Sequence, residues 1–253
     1  RLRRLIAEAA RSMEDPAAEE QRVESLATRT VTRGASGAMV WRAWGAGPPL
    51  VLLHGASGSW THWIRNVLPL AERFRVLAPD MPGFGKSERA AFAYTVDGFA
   101  RHIDAILRHF GVARAHLVLH DFGGPWGLAW AAAHAERVRS LVLINVGVLP
   151  GYRYHKYAQL WRTPLLGELS IFATPRWLFK RALNRDNPKP LPDAILNRMF
   201  DQWDRGTRRA VLAMYRAQPV DRATAPGLHA IVEELAGSPQ QPVDRVCAGA
   251  LFA

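Results

Sequence analysis

The stretch that decides the fold is Arg-Ala-His-Leu-Val-Leu-His-Asp-Phe-Gly-Gly-Pro-Trp, residues 114–126. It starts as a short apolar run of the kind that forms a buried strand, and a helical pattern begins at Trp126. Asp121 and the pair Gly123-Gly124 lie between the two. Because only small residues let a helix pass close to the strand before it, the glycines predict a very tight strand–turn–helix unit. The Asp121 side chain should then project above the edge of the sheet, and the following N–H groups should point at the same space.

Strand and helix patterns alternate around this unit. The predicted strands are residues 26–33, 38–44, 50–53, 75–78, 116–119 and 138–146, and the predicted helices among them are 60–74 and 96–110. Alternating strands and helices predict an α/β fold with a mostly parallel sheet and helices on both of its faces. The first two strands alternate in polarity around a glycine turn, so we expect an antiparallel hairpin at the edge of this sheet.

The alternation stops after residue 147, and the chain up to residue 220 is helical, interrupted by prolines and rich in Trp, Tyr and Arg. We interpret residues 148–220 as a helical cap inserted after a strand. The other predicted divisions are an N-terminal helix or extension at 1–25, the first part of the core at 26–147, and a return to the core at 221–253. Most of the basic surplus lies in the cap. A solvated surface is the favoured explanation for these basic residues, and attraction of anionic substrates is the alternative.

The composition argues against several classes of protein. The 253 residues are 49% hydrophobic, which suits one large α/β domain, and they carry a formal net charge of +11. The basic residues are spread along the chain without a long Lys/Arg block, so we expect no nucleic-acid partner. The single cysteine, Cys247, excludes an internal disulfide framework and favours a reducing, cytoplasmic location. No stretch approaches the ~18 apolar residues of a membrane span, so we expect no membrane partner. We expect a small-molecule substrate and no cofactor or metal, and the oligomeric state stays open.

Two more turns follow earlier predicted strands. They are His54-Gly55 after the third strand and Asp-Met-Pro-Gly-Phe-Gly-Lys-Ser, residues 80–87, after the fourth. Together with the turn at 120–124 they form an ordered set that resembles the α/β-hydrolase fold family over residues 26–220. The resemblance implies that the tight turn is the nucleophile elbow of that fold, which is normally built around Ser, and that Asp121 is the nucleophile here.

The same resemblance assigns roles to the neighbours of Asp121. The backbone N–H groups of Phe122 and Ala56 would form the oxyanion hole. The residues that would line the substrate pocket are His54, Gly55, Phe122 and Trp126.

An aspartate at the apex narrows the resemblance to the epoxide hydrolase and haloalkane dehalogenase branch of the family. Displacement at a saturated carbon leaves the nucleophile alkylated. An alkylated serine would be an ether, which mild hydrolysis does not open. An alkylated Asp121 would be an ester, whose carbonyl can be attacked by a base-activated water. Asp121 therefore indicates epoxides or alkyl halides as substrates rather than esters or amides.

The residues that dehalogenases use to hold a halide are not visible. Dehalogenases usually carry Trp directly after the nucleophile, and many carry Asn after the His-Gly pair, where this chain has Phe122 and Ala56. Epoxide hydrolases mostly carry Trp at the first of these positions as well. Two residues before the nucleophile, epoxide hydrolases usually carry Gly. This chain has Leu119 there, which resembles the dehalogenases more closely.

Epoxide hydrolases instead use cap tyrosines that hydrogen-bond the epoxide oxygen as the ring opens. Tyr215 lies in a sequence context, Ala-Met-Tyr-Arg, similar to theirs, and a phenol is a suitable neutral proton donor. Tyr154 is the candidate for a second tyrosine, with Tyr152 and Tyr157 as its alternatives. We therefore favour epoxides over alkyl halides. A non-catalytic protein on the same scaffold, such as a small-molecule receptor or an inactive fragment, is the rival from a different class.

The resemblance also implies a general-base His after the last strand and a carboxylate partner before it. Only His229 follows the cap, in a helical pattern with no strand before it, so we do not expect it to be the base. The residues from 243 lie where the next core strand should start, but they lack the Gly-x-x-Asp turn that would carry the acid. We therefore expect a chain truncated at its C-terminus, a sheet whose last strands are missing, and an alkyl ester on Asp121 that persists.

Overall fold

Seven strands form one sheet in the computed structural model, which describes residues 15–34, 37–146, 155–185, 187, 189–217 and 246–249. They are β1 (Thr28–Gly34), β2 (Gly37–Trp44), β3 (Pro49–Leu53), β4 (Arg75–Pro79), β5 (Ala115–His120), β6 (Val138–Ile144) and β7 (Val246–Gly249). Their order across the sheet is β1-β2-β4-β3-β5-β6-β7. β2 pairs antiparallel with β1 and β4, and the remaining pairs are parallel. This confirms the predicted mostly parallel sheet and the hairpin at its antiparallel edge.

The strand at the far edge corrects one expectation. We expected the sheet to lack its last strands, but Val246–Gly249 runs parallel to β6, with Val246 opposite Leu141. One of the strands that was expected to be missing is therefore present. A four-residue apolar segment is too short for alternation to reveal it. The outer edge of β6, however, carries unpaired backbone N–H and C=O groups, and such a segment can form hydrogen bonds with them.

Helices cover both faces of the sheet, as predicted. The core helices are α1 (Pro16–Ser25), α2 (Val67–Ala71), α3 (Val96–His109) and α4 (Gly123–Ala133). Because successive strand residues point to opposite faces, β3 contributes Leu53 to one hydrophobic cluster and Leu52 to another. The first cluster includes Phe99 of α3, and the second includes Val23 of α1. The sheet is therefore the middle layer of a three-layer fold.

Helix α3 shows how local sequence sets an element. The Thr95 hydroxyl caps its start by accepting a hydrogen bond from the Gly98 N–H at 3.1 Å. Its apolar residues recur at helical spacing on one face and are buried. Gly111 follows the helix at a φ of 64°, a left-handed conformation that ends a helix and that glycine adopts at little energetic penalty.

The predicted single helix at 60–74 is wrong. A 3₁₀ turn at Trp60–Trp63 is followed instead by the short helix α2. Pro69 explains the difference, because a continuous helix would need its missing N–H and its ring would clash with the carbonyl of residue 65. In the structure Pro69 lies in the first turn of α2, where a backbone N–H has no helical partner.

In the described part of the cap there are five helices. They are α5 (Lys156–Arg162), α6 (Leu166–Ala173), α7 (Arg176–Arg185), α8 (Asp193–Gln202) and α9 (Arg205–Ala217). The predicted limits of the cap, 148 and 220, lie outside the described residues, so the division of the chain stays a prediction. No helix within the described ranges has both the length and the apolar character that crossing a membrane requires.

A buried ion pair connects α1 to the turn at 80–87. Arg42 on β2 is 1% exposed and contacts Glu24 of α1 at 2.6 Å and Asp80 at 2.9 Å. Asp80 also accepts the backbone N–H groups of Trp60 at 2.9 Å and Lys86 at 3.0 Å. Asp80 therefore braces its own turn through these contacts.

Candidate active site

Asp121 lies at the apex of the turn between β5 and α4, with a left-handed φ of 49°. This conformation costs a non-glycine residue about 1–2 kcal/mol, so the surroundings must hold it. The Asp121 N–H donates to the Ile144 carbonyl at 3.1 Å, and the Asp121 carbonyl accepts the Gly124 N–H at 2.9 Å. The apex is thus fixed to β6 on one side and to α4 on the other. Asp121 as a whole residue is partly buried.

The two glycines after the apex make the tight turn possible. A Cβ atom on Gly123 would lie 2.5 Å from the Leu53 carbonyl oxygen, and one on Gly124 would lie 2.1 Å from Val146 Cγ1. Both distances are far below van der Waals contact. Helix α4 can therefore approach β3 and the end of β6 this closely only with glycine at these positions.

The turn after β3 faces Asp121. The Ala56 N–H donates to Asp121 Oδ2 at 2.8 Å. Gly55 permits this approach, because a Cβ atom there would lie 2.4 Å from Oδ2 and Cβ of Asp121. The structure therefore brings together the His-Gly turn and the elbow, which are 65 residues apart in the chain.

His54 fixes the position of this turn and is fully buried. Its Nε2 accepts a hydrogen bond from the Met81 N–H at 2.9 Å, so the proton must lie on Nδ1, which donates to the Gly55 carbonyl at 2.7 Å. Burial lowers the pKa of His54 to about 4. A neutral ring with both nitrogens hydrogen-bonded holds the turn in position. Its predicted contact with a substrate stays a prediction.

The electrostatics of Asp121 reflect opposing influences. Burial raises the pKa of the Asp121 carboxyl, and the His120 ring, the backbone N–H groups of Ala56 and Phe122, and the His155 ring oppose the rise. The two N–H groups that were predicted to form the oxyanion hole therefore contact the carboxyl group itself. A carboxylate held in this way is poised with one oxygen bound to donors.

Two more histidines lie behind the turn. The His62 ring centroid is 6.1 Å from that of His54 and 5.6 Å from that of His120. Burial lowers the pKa of His62 to about 3, so its ring is neutral at neutral pH. Burial also lowers the pKa of His120, and the neighbouring Asp121 opposes this shift. The His120 ring packs against His62 and Trp63, and its buried Nδ1 has no hydrogen-bond partner among the described residues. Within those residues no group of three metal-binding side chains is assembled.

Tyr215, the predicted cap tyrosine, lies beside the elbow. It is 4% exposed, and its ring stands perpendicular to that of Phe122 with the centroids 5.0 Å apart. Its hydroxyl oxygen is 3.2 Å from His155 Nε2. Arg162 also donates a hydrogen bond to the backbone carbonyl of Tyr215. The structure thus places this phenol next to the residue that follows Asp121.

His155 is a site residue that the sequence analysis missed. It precedes α5, and its Nδ1 accepts a hydrogen bond from the Ala158 N–H at 3.1 Å. In a neutral ring the proton must then lie on Nε2, which donates to the Tyr215 hydroxyl. The tyrosine can accept this bond and keep its own proton as a donor. The only sequence signal was a polar residue before a helix, and His is not among the preferred N-cap residues.

The other residues that were predicted to belong to the site do not contact Asp121 among the contacts described above. Trp126 is fully buried and stacks on Phe99 with the ring centroids 4.1 Å apart, so it supports the site from the core. Tyr157 is 38% exposed on the cap. Three residues of the sequence analysis, Tyr152, Tyr154 and His229, lie outside the described residues.

Comparison with known proteins identifies the family of the fold. A family model described as the alpha/beta hydrolase fold matches residues 48–219. Haloalkane dehalogenase 2 of Mycobacterium tuberculosis (strain ATCC 25618 / H37Rv) is 42% identical over 108 residues, which cover 42% of this chain and 37% of that protein. The soluble epoxide hydrolase of Corynebacterium sp. (strain C12) is 37% identical over 108 residues, with the same coverage of 42% and 37%.

A relative with a different name is similar over nearly the same length. The 2-hydroxymuconate semialdehyde hydrolase of Pseudomonas sp. (strain CF600) is 47% identical over 106 residues, which cover 40% of this chain and 37% of that protein. The chain thus matches little more than a third of the length of these curated relatives. Among solved structures, haloalkane dehalogenase DatA from Agrobacterium tumefaciens C58 superposes with a TM-score of 0.73 at 23% identity, over 89% of each chain. At this identity the likeness shows a shared fold.

Proposed function

The chain belongs to the α/β-hydrolase fold family, and from this premise we propose that it is a hydrolase whose nucleophile is the carboxylate of Asp121. The observation that carries the proposal is the left-handed apex position of Asp121, with its Oδ2 2.8 Å from the Ala56 N–H. The apex residue of the elbow is the attacking group of this fold, and a carboxylate that attacks a saturated carbon forms an ester. Epoxides are the substrates that best fit the surrounding residues.

With an epoxide, a carboxylate oxygen of Asp121 attacks one ring carbon, and the bond from that carbon to the ring oxygen breaks. The Tyr215 hydroxyl gives its proton to that oxygen, which leaves a hydroxyalkyl ester on Asp121 and a tyrosinate. The Nε2–H of His155 donates to the Tyr215 oxygen and stabilises the negative charge that develops there.

The second step is attack of water on the ester carbonyl. The Ala56 N–H already contacts one oxygen of the carboxyl group, so the same donor can stabilise the oxyanion that forms at that oxygen. A base must activate the water, and two histidines near Asp121 already use their ring nitrogens in other hydrogen bonds, while the Nδ1 atom of His120 is buried. His54 fixes the turn through both ring nitrogens, and His155 uses Nε2 as a donor. We therefore predict that the ester accumulates.

Haloalkane dehalogenation is the second candidate, because over 108 matched residues the relative named haloalkane dehalogenase 2 is 42% identical and the soluble epoxide hydrolase is 37% identical. A halide leaves without a proton, so that reaction needs N–H donors at the leaving group rather than a phenol. Phe122, directly after the nucleophile, has no side-chain donor. A tyrosine supported by a histidine favours the epoxide.

Intact-mass measurement after incubation with styrene oxide or 1-iodobutane tests the proposal. The wild-type chain should gain the mass of one whole epoxide molecule on the peptide that contains Asp121, and Asp121→Asn should gain none. With 1-iodobutane the adduct would be a butyl group without iodine. Faster alkylation by 1-iodobutane, with release of iodide, would reverse the order of the two candidates.

Two further results would contradict parts of the proposal. An adduct that persists in Asp121→Asn would exclude Asp121 as the nucleophile, and binding of both compounds without any adduct would favour a non-catalytic protein. Repeated turnover to the diol would contradict the predicted accumulation of ester. Replacing His229 would then test whether that residue is the base.

A further inference from the structure

A groove of about 600 Å³ lies between α6 and α9 of the cap and Arg89 of the core, and none of its lining residues belongs to the elbow. Four arginines, one glutamate and three apolar residues line it. They are Arg89, Arg205, Arg209, Arg216, Glu168, Phe172, Leu212 and Ala213. A volume of this size is typical of small-molecule sites. The groove therefore brings together arginines that the proposed hydrolase chemistry does not use.

The lining follows from helical spacing. On α9, Arg205, Arg209, Leu212 and Arg216 recur every three or four residues and form one stripe, about 16 Å long at 1.5 Å per residue. On α6, Glu168 and Phe172 are four residues apart and face this stripe. Tyr215 lies on the buried side of α9 next to Phe122, so one helix contributes to the candidate active site and to the groove through different faces.

The charges in the groove are not balanced. Arg216 forms a two-pronged ion pair with Glu168 at 2.5 Å and 2.7 Å, so these two charges balance each other. In the part of the chain that the structure describes, no carboxylate lies within ion-pairing distance of Arg89, Arg205 or Arg209. Arg205 and Arg209 are four residues apart on one helix, and like charges at this spacing destabilise a helix. A bound anion would relieve this repulsion.

The apolar part of the lining selects the kind of anion. Phe172 is 36% exposed although it borders the groove, and Leu212, which also lines it, is only 4% exposed. A small inorganic anion would leave this surface in water, whereas an aliphatic chain would cover it. Two guanidinium groups can bind one carboxylate through charge-assisted hydrogen bonds.

We propose that this groove binds an amphipathic monoanion, with its carboxylate or sulfate at Arg205 and Arg209 and its aliphatic chain along Phe172 and Leu212. The site is separate from Asp121, so it does not depend on the proposed hydrolase activity. The ligand is recognised by one negative charge combined with one apolar chain.

Calorimetric titration with decanoate, below the concentration at which it forms micelles, tests the proposal. Acetate supplies the same charge without a chain, and decan-1-ol supplies the same chain without charge. We expect one decanoate per chain, with acetate and decan-1-ol at least about tenfold weaker. The double variant R205Q/R209Q should weaken decanoate binding at least about tenfold, and Phe172→Ser should weaken decanoate but not acetate.

The control is R101Q/R181Q, which removes two exposed arginines from α3 and α7 and changes the net charge equally. It should leave decanoate affinity within about twofold, since distant surface charges are largely screened. Thermal melts of each variant verify that it is folded. Undiminished decanoate binding in a folded R205Q/R209Q chain would overturn the proposal. Equal affinity for decan-1-ol, or binding to anionic phosphatidylglycerol vesicles without binding of monomeric decanoate, would overturn it as well.

Discussion

Asp121 must be ionised to attack, yet burial raises the pKa of its carboxyl. We therefore expect the rate of alkylation by styrene oxide to fall as the pH is lowered through this raised pKa, because the protonated fraction no longer reacts. Adduct formation followed by intact mass between about pH 4 and 8 measures this rate. The uncatalysed reaction of the epoxide, followed with Asp121→Asn, serves as the control. A rate that is constant over this range would show that the carboxyl is not the titrating nucleophile.

The same raised pKa has a consequence for stability. The native carboxyl holds its proton to a higher pH than the unfolded one, so the native state binds more protons between the two pKa values. The stability that the protonated group contributes is present at low pH and is lost as the pH rises through the raised pKa. Asp121→Asn cannot ionise. The melting temperature of this variant minus that of the wild type should increase with pH, and a difference that is flat or decreases would contradict the shift.

The pair Tyr215 and His155 yields a prediction that depends on the substrate. Tyr215→Phe should slow alkylation by styrene oxide roughly 100-fold, because the alkoxide then leaves without a proton donor. Iodide needs no proton, so alkylation by 1-iodobutane should change by less than about threefold. Rapid-quench mass measurements with both compounds on one preparation supply the internal control.

His155 should act through Tyr215 and not directly. His155→Phe removes the donor to the Tyr215 oxygen and should slow only the epoxide reaction, roughly tenfold, and His155→Gln should recover part of that loss because its amide can donate. In the double variant with Tyr215→Phe, the loss from His155→Phe should disappear. An additive loss in the double variant would mean that His155 acts independently of the phenol.

Individual site residues could be predicted from the sequence wherever a motif requires a particular residue type at a particular position. Asp121, Ala56 and Tyr215 were chosen from short motifs, and the structure gathers them around one turn, although their catalytic roles remain predictions. His155 escaped because it lies 60 residues from Tyr215 and no periodicity relates the two positions. Its importance depends on the hydrogen bond that fixes its tautomer, which only tertiary structure supplies.

The elbow as an element depends on Gly123. We expect Gly123→Ala to lower the free energy of unfolding by about 2–3 kcal/mol, because the new Cβ would lie 2.5 Å from a backbone carbonyl oxygen that cannot move aside. Gly206→Ala is the matched control, since its Cβ would meet only the Asp204 side chain at 3.3 Å within helix α9. That change should alter stability by less than about 1 kcal/mol. Urea unfolding of both variants measures the difference, and equal effects would show that α4 can shift away from β3.

The predicted helices and strands differed from the observed ones at positions where the local structure depends on a single residue or on a partner that is distant in the sequence. The strands from β1 to β6 and helix α3 were recovered, because apolar periodicity records which side of an element faces the core. The helix predicted at 60–74 is interrupted because Pro69 cannot take part in a continuous hydrogen-bond ladder. Strand β7 depends on pairing with β6, which lies about a hundred residues earlier, and its own four residues carry no pattern.

For the whole molecule, the net charge of +11 conceals two different uses of arginine. Some arginines lie on the cap, where their positive charge can attract anionic ligands from solution. Arg42 instead lies inside the fold and joins three parts of the chain, namely β2, α1 and the turn at 80–87. Composition alone cannot separate these uses, because the difference lies in whether a carboxylate is buried beside the guanidinium.

Arg42→Met tests how strongly this junction holds the molecule together. The change leaves the Asp80 carboxylate 1% exposed without its cationic partner, and an unpaired buried charge costs about 3–5 kcal/mol. Arg29 lies directly opposite Arg42 in the β1–β2 register but is exposed, so Arg29→Met removes the same charge from the same hairpin and should change stability by less than about 0.5 kcal/mol. Urea unfolding should therefore show a large shift for Arg42→Met only. Adding Asp80→Asn to Arg42→Met should recover part of the loss, because the unpaired charge is then absent while the amide oxygen can still accept the Trp60 N–H. If the two methionine variants unfolded at the same urea concentration, the buried pair would contribute nothing, and packing alone would have to hold α1 against the sheet.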